Sequence, residues 1–213
     1  MVLGNQAKSC WKGSFVGYRR SAGNLSSSAV STKIVIAGGF GAGKTTFVRS
    51  ISEIEPVTTE AIMTEASDGV DDLTATPEKV TTTVAMDFGR VNLDQDLALY
   101  LFGTPGQDRF WFLWDDLIRG ALGAVILADP RRLADCFPAI EYFENTPNAP
   151  FIVALNCFGG VLPYAIEDVR NALALRPDIP ILTCDARNTA SAVYTLTVLV
   201  RYAMNFTGHP ALV

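Results

Sequence analysis

Short apolar runs and amphipathic stretches alternate along the chain from about residue 33 onward. A continuous apolar run is typical of a strand buried on both faces, whereas apolar residues three and four positions apart indicate a helix. On this basis, strands are predicted at 33–37, 122–127, 151–155 and 181–183. Helices are predicted at 45–54, 111–118, 133–143, 166–173 and 190–204. This alternation predicts a three-layer α/β fold with a mainly parallel sheet and helices on both faces.

Two further apolar segments interrupt the alternation. The residues at 84–88 and 97–102 have strand-like composition and are joined by a polar turn at 92–96, a pattern that predicts a hairpin. The hairpin adds one antiparallel edge strand to the sheet. Residues 55–80 are polar and show no clear element, and such a long irregular stretch inside a domain is usually functional.

The ends of the chain differ from its middle. Serine and glycine dominate 21–31, so we interpret 1–31 as a flexible N-terminal tail, 32–207 as one domain and 208–213 as a C-terminal tail. Lys8 and Lys12 interrupt the first residues, and no apolar run reaches the ~20 residues that span a bilayer. We therefore expect a cytoplasmic protein without a transmembrane segment.

Composition narrows the class further. The chain has 213 residues, of which 49% are hydrophobic and 18% charged, which is enough to build a full core. Its formal net charge of -5 argues against nucleic-acid binding, which needs a basic surface. The 4 cysteines have long, irregular spacings and the single histidine is His209, so no zinc or redox motif is predicted.

The strongest motif follows the first predicted strand. Residues 38–45 fit the pattern G-x-x-x-x-G-K-[ST] of a phosphate-binding P-loop, with an apolar strand before it and a helix after it. In such a loop the backbone N–H groups surround phosphate oxygens, Lys44 supplies a positive charge and the Thr45 hydroxyl can ligate Mg²⁺. The residues predicted to bind the phosphates are Gly39, Phe40, Gly41, Ala42, Gly43, Lys44, Thr45 and Thr46. The fold class is therefore that of the P-loop NTPases.

Two later segments follow the order of the small GTPases. Residues 81–83 precede the first hairpin strand, where a small GTPase has a threonine that contacts Mg²⁺ and the γ-phosphate; Thr83 is the predicted residue. Residues 104–107, Thr-Pro-Gly-Gln, resemble the switch II motif. That resemblance implies a γ-phosphate contact for Gly106 and a catalytic role for Gln107 in orienting water.

Two more segments resemble the base-binding motifs of the same class. Asn156 follows the strand predicted at 151–155, where guanine-binding proteins have Asn-Lys-x-Asp, and Cys157 stands at the lysine position. The residues after the strand predicted at 181–183, Asp185, Ala186 and Arg187, resemble the element whose backbone contacts the base.

The segments 38–46, 101–109 and 111–116, with 81–89, 128–132 and 156–158, together resemble one branch of the superfamily. They are similar to the small GTP-binding proteins encoded in bacterial conservons, relatives of the gliding-motility GTPases. The resemblance covers roughly 32–205. It implies GTP and GDP as ligands, Mg²⁺ as cofactor, slow and partner-stimulated hydrolysis, and a switch that works with a roadblock-type regulatory protein and a sensor-kinase-like protein.

Three positions depart from the small-GTPase pattern. Gly103 replaces the aspartate that supports Mg²⁺ through water in Ras-type proteins, and Asp87 or Asp129 could compensate for it. Gly159 replaces the aspartate that accepts two hydrogen bonds from guanine, which leaves base specificity open. Phe40 replaces a glycine of the loop, and its bulk predicts slow hydrolysis.

These departures keep alternatives to the regulatory GTPase open. The domain could bind nucleotide without hydrolysing it and serve as an interaction module. A P-loop kinase is a third interpretation, but it needs an arginine-rich lid and no arginine cluster follows the predicted sheet. The aromatic segment 110–114 could contribute both to the core and to a nucleotide-dependent partner surface.

Overall fold

The sheet of the computed structural model agrees with the predicted architecture. The structure describes residues 30–55, 57–59, 86–94, 97–105 and 112–207. Within these residues the sheet has 7 strands in the order β2-β3-β4-β1-β5-β6-β7. The strands are β1 (Val30–Ala37), β2 (Val57–Thr59), β3 (Met86–Asp94), β4 (Leu97–Gly103), β5 (Gly123–Ala128), β6 (Phe151–Asn156) and β7 (Ile181–Cys184).

The strand directions confirm a mainly parallel sheet. Strands β4, β1, β5, β6 and β7 pair in parallel, and β3 runs antiparallel to β4 as the hairpin predicts. The short β2, in a stretch for which the sequence predicts no element, pairs antiparallel with β3. Strand β3 is therefore second from the edge in the described sheet, rather than its edge strand.

Helices cover both faces of the sheet. They are α1 (Lys44–Ile51), α2 (Trp114–Ile118), α3 (Phe137–Glu144), α4 (Ile166–Ala172) and α5 (Thr189–Thr207), with a 3-10 helix at Leu133–Cys136. Pro138 lies in the first turn of α3, where its missing N–H leaves no helix bond unmade. The helix predicted at 133–143 is therefore split into a 3-10 turn and an α-helix.

Alternate residues of β1 point into two separate cores. Ile34 and Ile36 pack with α1 and α5 on one face, and Val35 and Ala37 pack with the other helices on the opposite face. Burial on both faces explains why β1, β5 and β6 are nearly continuous apolar runs. Strand β1 begins at Val30, so Val30 and Ser31, which the sequence assigns to the tail, belong to the sheet.

Candidate functional site

The phosphate loop connects the carboxyl end of β1 to the start of α1. Gly38 has φ +132, and a Cβ there would overlap the carbonyl oxygen of Leu127 on β5. Only glycine lets the chain turn this close to the neighbouring strand. Gly43, which caps α1, makes no side-chain capping hydrogen bond. The first N–H groups of a helix have no partner within it, so this end can accept an anion.

Lys44 lies across this loop. Its Nζ donates hydrogen bonds to the carbonyl oxygens of Gly38 and Gly39, both at 2.7 Å. Burial lowers the pKa of Lys44 to about 8, an effect that the nearby Asp87 carboxylate partly offsets. A buried ammonium held only by two carbonyls is well placed to bind phosphate oxygens instead.

The second feature of the site is a hydrogen bond between Thr45 and Asp87. The Thr45 hydroxyl donates a 2.6 Å hydrogen bond to Asp87 Oδ2, and Asp87 is only 9% exposed. Asp87 is paired across the hairpin with Gly103. A Cβ at Gly103 would lie 3.0 Å from the Asp87 Cβ and 3.1 Å from its Oδ2. The carboxylate on β3 therefore fills the space beside β4 that a side chain at position 103 would need.

This geometry separates the two carboxylates that could compensate for Gly103. Asp87 contacts Thr45, whereas Asp129 accepts hydrogen bonds from Arg131 Nε at 2.9 Å and Nη2 at 2.7 Å. The hydrogen bond from Arg131 holds the pKa of Asp129 below its ordinary range. Thr45 and Asp87 are thus the oxygen-bearing pair that could hold a divalent cation.

One buried polar atom, close in the chain to Gly103, has no hydrogen-bond partner among the residues that the structure describes. The Thr104 hydroxyl, directly after Gly103, is buried and makes no hydrogen bond among the described residues. Buried hydroxyls are normally satisfied by protein, water or ligand. Together with the open helix end, this orphaned group fits a site that takes a ligand with its cation and water. The described residues contain no group of three or more His, Cys, Asp or Glu that could hold a metal by themselves.

Asn156 connects the phosphate loop to the base-binding segments. Its Nδ2 donates to the Ala42 carbonyl oxygen at 2.9 Å, and its Oδ1 accepts from the Ala186 N–H at 3.2 Å. Asn156 is 2% exposed, so these hydrogen bonds are shielded from water. The structure places Asn156 and Ala186 in direct contact, with the Ala186 N–H directed to Asn156 Oδ1.

The other predicted base-site residues lie in the two neighbouring turns. Cys157 is partly exposed, and burial raises the pKa of its thiol. Arg187 is exposed and its guanidinium donates to the Phe158 carbonyl oxygen at 2.7 Å and to both oxygens of Asp185. The sequence analysis includes Asp185 and Arg187 in the element whose backbone contacts the base, and it predicts no role for the Asp185 side chain. An aspartate two residues before an arginine, in the turn that follows a strand, is the sequence signal that could have indicated this ion pair.

Phe158 itself has a cationic partner. The Arg131 guanidinium lies 4.2 Å from the centre of the Phe158 ring, and Phe158 has φ +50. Arg131 follows β5 and Phe158 follows β6, so the two residues are far apart in the sequence. The sequence analysis connects the segments that contain them only through the family resemblance.

The remaining predicted residues divide into two sets. Ala42 is buried, Phe40 is 70% exposed at the tip of the loop, and Thr46 is exposed on α1. Thr83, Gly106 and Gln107 lie outside the described residues, as do Phe110 and Trp111 of the aromatic segment at 110–114. Trp114 of that segment is buried in the core, and Phe112 is 61% exposed.

The P-loop, the lysine across it and the parallel sheet define a nucleotide-binding protein of the P-loop class. The chain belongs to the family described as "Conserved hypothetical ATP binding protein", whose model matches residues 36–206. No curated protein matches the sequence.

Two solved structures show the same fold. The Arl6 BBS3 small GTPase from Trypanosoma brucei, with a bound nucleotide analogue GppNp, has a TM-score of 0.58 at 15% identity, covering 83% of this chain and 99% of that one. The G domain of the T. maritima FeoB iron transporter has a TM-score of 0.55 at 16% identity, covering 82% of this chain and 99% of that one. The shared fold is that of P-loop GTPases. No helix among the described residues is long and apolar enough to cross a membrane.

Proposed function

We propose that this protein is a regulatory small GTPase that binds GTP and GDP with Mg²⁺ and hydrolyses GTP slowly. The observation that carries the proposal is the combination of Lys44 across the phosphate loop and the 2.6 Å hydrogen bond from Thr45 to Asp87. This combination provides one positive charge for phosphate oxygens and one oxygen-bearing pair for a cation, which are the two requirements of a nucleotide–Mg²⁺ complex.

In this proposal each residue has a separate task. Lys44 exchanges the carbonyl oxygens of Gly38 and Gly39 for phosphate oxygens, and the N–H groups at the start of α1 bind the same phosphates. The Thr45 hydroxyl is the metal ligand, and Asp87 orients it from β3. When bound, Mg²⁺ would offset the negative charge of the phosphates.

The switch consists of residues 55–83 and 103–116. Thr83 is the second proposed Mg²⁺ ligand, Gly106 the proposed γ-phosphate contact and Gln107 the proposed catalytic residue, which orients the attacking water. Ordering of these segments around the γ-phosphate would carry the signal to a partner. Hydrolysis without a partner is slow in this class, and an arginine supplied by a partner can add about 10³–10⁵-fold.

The partners come from the resemblance to the conservon proteins. We propose a roadblock-type regulatory protein and a sensor-kinase-like protein, acting in the cytoplasm. The exposed ring of Phe112, beside switch II, supports a nucleotide-dependent contact there, since aromatic anchors are enriched at interfaces. Binding of a roadblock-type protein to the GTP form but not to the GDP form is the expected result in a pull-down with each nucleotide.

The direct test is equilibrium binding of fluorescent GDP and GTP to the purified protein, with and without Mg²⁺. Lys44→Ala should abolish tight binding, because the phosphates lose their charged partner. Lys33→Ala is the matched control: Lys33 Nζ donates to the Arg119 carbonyl oxygen at 2.7 Å, on a different part of the sheet. Equal GDP affinity in Lys44→Ala and the parent would refute the assignment of the phosphate site.

A nucleotide-binding scaffold without hydrolysis is the second candidate. It is favoured by Gly159, where the guanidinium of Arg187 occupies the position that a side chain would take. Phosphate release over many turnovers in the presence of a partner, lost in Gln107→Ala, would exclude the scaffold. Tight GTP binding with no turnover under the same conditions would favour it over the GTPase.

A further inference from the structure

The turns that follow β6 and β7 lie side by side. Asn156 and Cys184 are paired in register at the ends of these parallel strands, and the Cys157 N–H donates to the Cys184 carbonyl oxygen at 2.9 Å. The turn containing Gly159 and the turn containing Asp185 therefore leave the sheet together. A side chain in the turn that contains Asp185 can therefore occupy space beside Gly159, which has no side chain of its own.

Gly159 has no room for a carboxylate of its own. Its φ is +80, and a Cβ built there would overlap Arg187 Nη2. The same Cβ would lie 3.3 Å from Asp185 Oδ2. A carboxylate oxygen from the neighbouring turn is thus already within reach of the position where a side chain at 159 would begin.

Hydrogen bonds hold both the backbone and the side chain of Asp185. Its own N–H donates to Ser191 Oγ at 3.0 Å, and its Oδ1 accepts the Arg187 backbone N–H at 3.1 Å. Arg187 Nε donates to Oδ1 at 3.0 Å and Nη2 donates to Oδ2 at 3.1 Å. The carboxylate therefore presents both oxygens to a planar group with two parallel N–H donors.

Guanine offers the same pair of donors. Its N1–H and its 2-amino group point in parallel from one edge, as Nε–H and Nη2–H do in arginine. Adenine has an unprotonated N1 at this place, whose lone pair would face the carboxylate. A base that leaves a polar group of the site without a suitable hydrogen-bond partner binds more weakly, and this difference in affinity makes the site selective.

We propose that Asp185 is the residue that recognises guanine in this protein, and that Arg187 occupies its two oxygens until the base displaces the guanidinium. This inference rests on the proposed function and specifies its base. It also gives a physical reason for Gly159: an aspartate there would overlap the arginine and put a second carboxylate beside the first.

The surroundings allow the exchange. The Arg187 side chain is 60% exposed, so it can move into solvent when the base arrives, whereas the Asp185 side chain is 27% exposed. A cavity of about 370 Å³ is lined by Asp185 together with Cys157, Gly159 and Gly160, among other residues. This volume lies within the range of ~300–1,000 Å³ for small-molecule sites.

The test uses four diphosphates that differ only in the base. Binding of GDP, IDP, XDP and ADP to the full chain is measured with Mg²⁺ by competition against fluorescent GDP. IDP lacks the 2-amino group and XDP has a carbonyl there, so the parent should bind GDP about 10- to 100-fold tighter than IDP. XDP and ADP should bind more weakly still.

Asp185→Asn is the central variant. Its amide keeps an oxygen for the Arg187 N–H and offers an N–H to the XDP carbonyl, so the ratio of GDP to IDP affinity should fall to within about threefold and XDP should gain at least about tenfold. Asp168→Asn, on the exposed first turn of α4, is the matched control and should behave as the parent. Arg187→Gln should keep the preference and raise GDP affinity by up to about fivefold, because no surface ion pair has to open.

Each outcome decides a different question. One outcome is that the parent binds GDP tightly and Lys44→Ala does not, but the parent binds GDP and IDP equally well. In that case the assignment of the base-binding residue is wrong and the assignment of the phosphate site stands. The assignment is also wrong if Asp185→Asn, folded by circular dichroism, keeps the parental ratio. Loss of the preference in Arg187→Gln alone would transfer the role to the arginine. If the parent binds none of the four, the proposed function fails together with this inference.

Discussion

Replacing Asp87 with asparagine tests how this site holds a cation without an aspartate at position 103. The change keeps the shape of the side chain and an oxygen for the 2.6 Å hydrogen bond from Thr45, but removes the charge. Asp87 is 9% exposed, so solvent does not replace the lost carboxylate. We expect the fold to persist and the Mg²⁺ dependence of GDP binding to change.

The magnitude follows from the type of hydrogen bond. A bond to a charged group contributes about 1.5–3 kcal/mol and a neutral one about 0.5–1.5 kcal/mol, so the loss is about 1–2 kcal/mol. At about 1.4 kcal/mol per tenfold, this loss predicts an about 5- to 30-fold higher Mg²⁺ concentration for half-maximal retention of GDP. The dissociation rate of fluorescent GDP, measured over a series of free Mg²⁺ concentrations, gives this midpoint.

Asp129→Asn is the matched control for this prediction. Asp129 is equally buried at 9% exposure, but its carboxylate binds Arg131 rather than Thr45. It should leave the Mg²⁺ midpoint unchanged within about twofold, well below the loss of a charge-assisted hydrogen bond. An unchanged midpoint in Asp87→Asn, or an equal shift in both variants, would refute the assignment of Asp87.

Three further predictions concern charge, backbone and polar contacts. Burial lowers the pKa of Lys44 from 10.5 to about 8, so between these two pH values the unfolded chain binds more protons, and the free-energy cost of burying the charged Lys44 falls as pH rises. GDP affinity should instead fall as pH rises above about 8, since phosphate needs the charged form; a pH-independent affinity from 7 to 10 would contradict this. Gly38→Ala should lower the free energy of unfolding in urea by at least about 2 kcal/mol, because its Cβ meets a backbone oxygen, whereas Gly41→Ala, with open space around it, should cost about 1 kcal/mol. Asn156→Ala leaves the buried Ala42 oxygen without its hydrogen bond and should cost about 2–3 kcal/mol in the same assay; a loss under about 0.5 kcal/mol would show that Asn156 is not needed there.

The nature of the base is the point at which the family description and the fold neighbours differ. The family is described as ATP-binding, whereas the two solved structures are a small GTPase and a G domain. The contact between Asp185 and Arg187 offers a physical criterion, because a carboxylate that accepts two parallel N–H donors matches guanine and opposes adenine. The diphosphate series therefore separates the two descriptions on one protein.

The class of fold and the phosphate loop follow from local patterns in the sequence. Buried parallel strands need apolar residues on both faces, so 122–127 and 151–155 stand out without any tertiary information. The loop at 38–45 is also local, because a turn of glycines before a lysine and a helix encodes its own geometry. Element ends were less predictable: α1 ends at Ile51 instead of at 54, since backbone hydrogen bonding rather than composition sets where a helix stops.

The contacts of the candidate carboxylates depend on how the strands pair. Asp87 and Asp129 are equivalent in the sequence, and the hairpin register alone brings Asp87 opposite Gly103 and next to Thr45. The sequence points to Asp185 only through its backbone, because the relation of its side chain to Gly159 depends on two strands that are neighbours in the sheet but separated in the chain. Sequence motifs describe contacts between residues a few positions apart. A side chain that takes the place of one missing from a neighbouring strand can be recognised only when the pairing of the strands is known.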